Sequence, residues 1–394
     1  MDVIIAGGGV AGAASAIALR RIGARVTVQE AYADPAGRVG SFLSLAANGL
    51  RGLEALGCLE PVRRAGFAVP LQRIRAESGR ILGEVPRGRL SGDAMHSTTL
   101  RRGHLVEVLR EHALRAGARI VTGRRLVGAV EDGGGVRAEF DDGTHATADL
   151  LVGADGLWSV TRSLLDPDAP WPEYAGLYGV SGIAEGVPTE PGVFDVSFAR
   201  SGAFLHVVMP DGAVWWTAQV AERRPPDFAA TGDEQWLDHL AGLYRFCPRA
   251  PELLRATKRL HRPALVHTLA EVPVRHDDRT VLVGDAAHPV GAGQGASMAI
   301  EDAVVLAQAL AGADSVGAAL ADHDRRRRAR IGRMFKAARG NRGAKTRGPV
   351  GRRVEGLVMP IVLRHFHERS TAWLYTHDLG TLPAPARGTR PAGV

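Results

Sequence analysis

Apolar residues 3–6 run into a glycine-rich turn, then into an alanine-rich stretch with helical spacing that reaches about Arg21. Gly23 marks its stop and Arg25–Glu30 reads as a second strand, so the chain is expected to open on a βαβ unit with parallel strands. Residues 45–57 and 102–116 read as helices ended by Gly57 and Gly117. Between 118 and 152, β-like runs broken by Asp132-Gly-Gly-Gly135 and Asp141-Asp-Gly143 predict a meander. From 171 to 220 the pattern becomes aromatic and alternating (193–199, 203–209, 214–220), which predicts an antiparallel sheet. A helix over 232–256, a buried strand over 279–284 and a helix over 297–310 follow. Arginine-rich helix and loop then lead to a tail at 383–394.

Composition narrows the class. The 394 residues are 45% hydrophobic and 23% charged, which excludes disordered, collagen-like and disulfide-scaffold proteins. Cys58 and Cys247 offer neither a bridge framework nor metal-ligand spacing, so no metal and a reducing, cytoplasmic location are expected. The uncharged stretch 3–19 has Asp2 where a signal peptide needs positive charge, and glycines interrupt it. With no apolar run of transmembrane length, a soluble protein is expected. The net charge of +7 is carried by the end of the chain, where residues 321–394 hold 17 Lys and Arg against 5 Asp and Glu. No aromatic residues interleave with Arg325, Arg326, Arg327 and Arg328, so nucleic acid is not the expected partner.

Three turns carry the candidate chemistry. Gly7-Gly8-Gly9-Val10-Ala11-Gly12 fits G-x-G-x-x-G between a strand and a helix. Gly7 permits the turn, Gly9 lets a pyrophosphate approach the amides of Val10 and Ala11 at the helix start, and Gly12 permits close helix packing. Glu30, at the end of the second strand, is placed to accept from an adenosine ribose. This motif alone does not separate FAD from NAD. The second turn is Asp155-Gly156, within a strand-turn-helix stretch from Asp149 to Arg162. The third is Gly284-Asp285-Ala-Ala-His288-Pro289, followed by Gly293-Gln294-Gly295 and a helix.

In this order and at these separations, the three motifs resemble the flavoprotein monooxygenases of the para-hydroxybenzoate hydroxylase type, the group A aromatic hydroxylases, over about residues 1–340. The resemblance implies an α/β fold: a Rossmann-like FAD-binding domain (1–70, 97–168, 272–320), an inserted antiparallel-sheet substrate domain (71–96, 169–271) and C-terminal helices (321–382). It implies that Asp285 reaches the FAD ribitol or pyrophosphate and that the Gly293, Gln294 and Gly295 amides face the isoalloxazine. Arg102, or its neighbour Arg101, would reach FAD. Asp155 and Gly156 would serve FAD and NAD(P)H, with helix capping as the alternative for Asp155. Arg38 and Ser44 are further cofactor candidates, Asn48 reads as a helix N-terminal residue, and the 325–333 arginines read as a solvated helix face. The chain departs from the family between His288 and Gly293, where the loop is about two residues shorter and lacks a proline beside the flavin.

The implied chemistry belongs to the flavin: NAD(P)H, docking transiently, reduces FAD, oxygen adds at C4a, and the hydroperoxide passes one oxygen atom to an electron-rich substrate. An aromatic or apolar small molecule would sit on the sheet. Along 203–208 either Phe204, His206 and Val208 or Ala203, Leu205 and Val207 face it, since strand side chains alternate. Phe204, His206 and Trp216 are the leading substrate contacts, with Phe194, Phe198 and Trp215 as others. Three readings compete: a flavin halogenase, disfavoured because Trp215 and Trp216 are adjacent instead of forming Trp-x-Trp; an FAD reductase or dehydrogenase, which the short loop suits; and a non-catalytic flavin-containing binding protein.

Overall fold

Strands Asp2–Ala6 and Arg25–Glu30 pair in parallel, Val3 opposite Val26, on either side of helix Val10–Arg21. The structure, a computed structural model, describes residues 1–34, 42–228, 231–269, 271–289, 293–345 and 349–383. The expected βαβ unit nucleates a five-stranded parallel sheet in the order Thr280–Leu282, Leu150–Gly153, Asp2–Ala6, Arg25–Glu30, Arg119–Thr122. Its central strands are nearly all buried because both faces are covered. Helices Val10–Arg21, Arg102–Arg115 and Gly295–Gly312 cover one face around Ile5, Val28, Ile17, Leu105 and Ile300. The meander of Leu126–Asp132, Gly135–Phe140 and His145–Ala148 covers the other, packing Phe140 and Val136 on Ile4 and Leu151.

The second large sheet has seven strands, ordered Thr257–Thr268, Glu173–Ala184, Val214–Ala221, Gly202–Val208, Val193–Ala199, Leu71–Ala76, Ile81–Pro86. It is antiparallel as the alternation predicted, except that Val193–Ala199 runs parallel to Leu71–Ala76, a strand from much earlier in the chain. Helices Asp233–Leu243 and Ala250–Arg255 close one face over Phe204, Trp216 and Tyr244. The single helix expected over 232–256 is thus two. Pro248 disfavours a helical conformation at Cys247, and Arg249 takes φ +64°, so the chain turns between them.

Helix Val316–Lys345 corrects the expected solvated arginine face. Arg327 is 1% exposed and Arg330 7%, both ion-paired inside the molecule, whereas the Arg325 side chain is 72% exposed. A short loop after Gly295–Gly312 returns the chain antiparallel to it, which presses one stripe of the arginine helix onto Glu301 and Asp302. Among the described residues no helix is long and apolar enough to cross a membrane.

Candidate active site

The glycine turn has little freedom. Gly7 takes φ +100°, where any Cβ would also strike the Ala154 carbonyl, so glycine is required on both counts. A Cβ on Gly12 would collide with the Gly7 carbonyl oxygen, whereas one on Gly9 would meet nothing within 4 Å. Gly9 is the N-cap of helix Val10–Arg21 and provides no side-chain cap, so the amides of the first turn keep free N–H groups. Buried Glu30 holds the turn itself: Oε2 accepts from Gly8 N at 2.7 Å and Oε1 from Tyr32 N at 2.8 Å.

In the second turn, capping takes the side chain. Asp155 Oδ1 accepts from Ser159 Oγ at 2.5 Å, Oδ2 accepts from Thr161 N and Oγ1 at 2.9 Å, and Ser159 Oγ caps Arg162 N. The Asp155 carboxylate caps the start of helix Val160–Leu165, the alternative expected for it, and the cavity described below is lined by Ala154 and Gly156 on either side of it. Buried Arg162 then ties the second turn to the third, donating to the Ala286 carbonyl at 3.1 Å and the Leu157 carbonyl at 2.8 Å.

Asp302 fixes the third turn. Its Oδ2 accepts from Gly284 N at 2.8 Å and lies 2.5 Å from His288 Nε2, while Oδ1 accepts from Arg327 Nε at 2.7 Å. Glu301 beside it accepts from Asn48, Arg327 and Arg330, so Asn48 anchors its helix to the cluster. Burial alone would raise the Glu301 carboxyl, but Arg327 and Arg330 outweigh it and hold it down to about 2. This network presents Asp285, whose carboxylate accepts no hydrogen bond among the described residues. Asp285 is open to the cavity, while the protein packed around it disfavours the charged carboxylate and raises its pKa against the pull of His288 and Arg102.

These elements surround one cavity of about 770 Å³. Gly9, Val10, Ala11, Arg102, Gly156, Asp285, Gly293, Gln294 and Gly295 line one part of it, together with Ser44. Phe194, Val196, Phe198, Leu205, Thr217 and Gln219 of the seven-stranded sheet line another. Strand alternation therefore resolves in favour of the Leu205 set. Phe204, His206 and Trp216 point to the opposite face, where Phe204 stacks on Trp216 at 5.7 Å and packs on Tyr244, so their expected role as substrate contacts is corrected. Burial pushes the His206 imidazole down to about 4, outweighing Asp195, which leaves it neutral and away from the cavity. Trp215, on the cavity side, is covered by a Phe42 ring stacked at 5.3 Å. Gly7, Gly12 and Glu30 shape the turn without lining the cavity, and Arg38 lies outside the described residues.

Sequence reading missed Arg87, Gln72, Lys345 and Tyr375, all of which line the cavity. Arg87 follows a short strand as one of many arginines, and no local signal sets it apart.

The cavity's features fit FAD. Free amides at one helix start, open space over Gly9 and an unpartnered carboxylate at Asp285 suit a pyrophosphate and a polyol. The comparisons agree: the FAD binding domain family matches residues 1–338. Aurachin C monooxygenase/isomerase of Stigmatella aurantiaca is 31% identical, covering 82% of this chain and 83% of that protein. Salicylate hydroxylase of Pseudomonas putida is 29% identical over 97% of this chain and 94% of its own length. Among solved structures, Klebsiella pneumoniae HpxO with FAD and uric acid superposes with a TM-score of 0.81 at 22% identity, covering 95% of this chain and 96% of that one. By its motifs, its fold and these relatives, the chain belongs to the FAD binding domain family, the flavoprotein monooxygenases of the para-hydroxybenzoate hydroxylase type.

Proposed function

We propose that this chain uses NAD(P)H and O2 to hydroxylate or epoxidise an aromatic or other electron-rich small molecule. The observation that carries this reading is a cavity that joins the glycine turns to the aromatic face of the seven-stranded sheet, which lets a cofactor and an apolar substrate share one space. Bound FAD would supply the redox step, accepting a hydride and activating oxygen. In this reading the Val10 and Ala11 amides hold the pyrophosphate, with Gly9 giving it room. Asp285 and Arg102 bind the polyol and phosphate region, and Gly156 shapes the neighbouring turn. The Gly293, Gln294 and Gly295 segment begins helix Gly295–Gly312, whose N-terminal end favours negative charge on a reduced flavin. Phe194, Val196, Phe198 and Leu205 form an apolar wall that excludes water from the reacting edge. Residues 1–70, 97–168 and 272–320 serve as the cofactor unit, and 71–96 with 169–271 as the substrate unit. Free, buried Cys58 and Cys247 suit a reducing cytoplasm.

Asp285→Asn is expected to leave the fold intact and weaken FAD binding about tenfold, because it removes a charged acceptor rather than packing. Flavin-to-protein ratio after gel filtration, together with the thermal midpoint of the apo chain, checks this; undiminished flavin content would make Asp285 a structural residue.

NAD(P)H and oxygen consumption against phenols, indoles and polyketides tests the activity. Oxygenated product is expected, with part of the reducing equivalents leaving as hydrogen peroxide because the 288–293 loop is short and lacks a second proline. That same loop favours the second reading, an FAD reductase. Anaerobic reduction of substrate by NAD(P)H, with no oxygenated product in air, would select it.

A further inference from the structure

Arg87 follows strand Ile81–Pro86, and its guanidinium lies over the Phe194 ring, 3.3 Å from the centroid, on the cavity wall. One terminal nitrogen donates to Gln72 Oε1 at 2.7 Å and the other to Ser44 Oγ at 3.1 Å, and Nε finds no partner. Both acceptors are neutral. A guanidinium carries five N–H donors, so three have no protein acceptor among the described residues. Elsewhere in this fold a buried arginine meets a carboxylate or backbone carbonyls, even where some of its nitrogens stay unpaired: Arg327 and Arg330 face Glu301, Arg275 faces Asp324, and Arg162 donates to two backbone carbonyls. Arg87 differs in lining the cavity with only two neutral side-chain acceptors. The protein packed around it pushes it down to about 9, still cationic at neutral pH, and its half-buried charge has no counter-charge among the described residues.

The charge on the wall points the same way. Its charged residues are Arg87, Arg102, Asp285 and Lys345. Arg102 and Asp285 attract one another, which leaves the positive charges of Arg87 and Lys345 uncompensated among the described residues. Ser44, Gln72 and Phe194, which hold Arg87, stand on strand Phe42–Leu45 and on the seven-stranded sheet, none of them on the three glycine turns.

We propose that Arg87 is the docking residue for a carboxylate on the substrate, so that the chain prefers apolar or aromatic acids to their neutral counterparts. The inference rests on the monooxygenase reading for what happens to the bound acid, but not for its binding. A guanidinium already fixed by a ring and two neutral acceptors loses little entropy on pairing, and its fork matches a carboxylate. Phe194, Val196, Phe198 and Leu205 take the apolar body beside it.

Calorimetric titration of the FAD-loaded chain with matched probes tests this: salicylate against salicylamide, and indole-3-acetate against indole-3-acetamide. In at least one pair the acid should bind about tenfold or more tightly than the amide. Arg87→Met should bring the acid down to the amide's affinity with flavin content unchanged, and Arg87→Lys should recover part of the difference. Arg87→Gln substitutes if the methionine variant does not fold. Equal binding of acid and amide in both pairs overturns the proposal, as does an equal loss for both probes in the variant. Loss of FAD from the variant also overturns it, by assigning Arg87 to the cofactor. Because calorimetry needs neither NAD(P)H nor oxygen, acid preference without turnover would leave this proposal standing while the monooxygenase reading fails; turnover of neutral compounds without acid preference would do the reverse.

Discussion

Gly12→Val is expected to strip the chain of FAD and to cost about 3 kcal/mol of stability, because the new side chain meets backbone that cannot yield. The obstacle is the Gly7 carbonyl oxygen, with the Ile5 side chain 3.3 Å behind it. Gly7 is itself held, donating its N–H to the Gln29 carbonyl at 2.7 Å beside the Ala154 backbone. Neighbouring glycines should behave differently. A Cβ on Gly8 lies 3.2 Å from Glu30 Oε2, a contact that a small side-chain shift relieves, so Gly8→Ala should cost under about 1 kcal/mol and keep FAD. Gly9→Val should be nearly neutral for the apo fold yet lose FAD, because its side chain enters the open space on the cavity wall. Urea unfolding of the apo chains and flavin content of the purified ones separate the three classes; equal flavin retention in Gly8→Ala and Gly12→Val would refute this placement of the turn.

The second large effect is expected at Arg327. Replacing it with methionine leaves Glu301 and Asp302 buried with fewer counter-charges, a change that costs about 3–5 kcal/mol. Because Asp302 also holds Gly284 N and His288, the third turn should loosen and FAD retention should fall with stability. Arg325→Met, on the same helix with a 72% exposed side chain, should stay within about 0.5 kcal/mol. Similar unfolding midpoints for the two variants would remove the cluster from the account. Acid sensitivity follows from the same pairs. Glu301 is held down to about 2, so its ion pairs stabilise the fold above the ordinary carboxylate range near pH 4 and lose that contribution as pH falls toward about 2. Arg327→Met should flatten that part of the stability profile.

The βαβ opening, the three turns and the two hairpins of the meander were legible in the sequence because each is a local matter. Strand Arg25–Glu30 and helix Val10–Arg21 follow from the period of apolar residues and from glycines at the stops, within a few residues of the chain that forms them. The positive φ of Gly7 and the free amides after Gly9 are properties of one turn, so the residue types there announce the chemistry. Asp155 was half legible: the sequence offered both a ligand and a cap, and only the positions of Ser159 and Thr161 showed that the carboxylate caps the helix.

What the sequence by itself determined is therefore the class of fold, the cofactor and the turns that meet at the cavity. Which face of Gly202–Val208 lines the cavity was left to the tertiary structure, because alternation defines two faces but not which is covered, and helices Asp233–Leu243 and Ala250–Arg255 claimed the Phe204 side. The fate of the arginines was undecided for the same reason. Arg325 and Arg327 are chemically identical neighbours on one helix; one is solvated and the other carries the buried cluster because helix packing put Glu301 and Asp302 beside only one stripe. Arg87 shows the limit most clearly: among the described residues no carboxylate pairs with it, and that is a fact of three-dimensional arrangement that no spacing along a chain records.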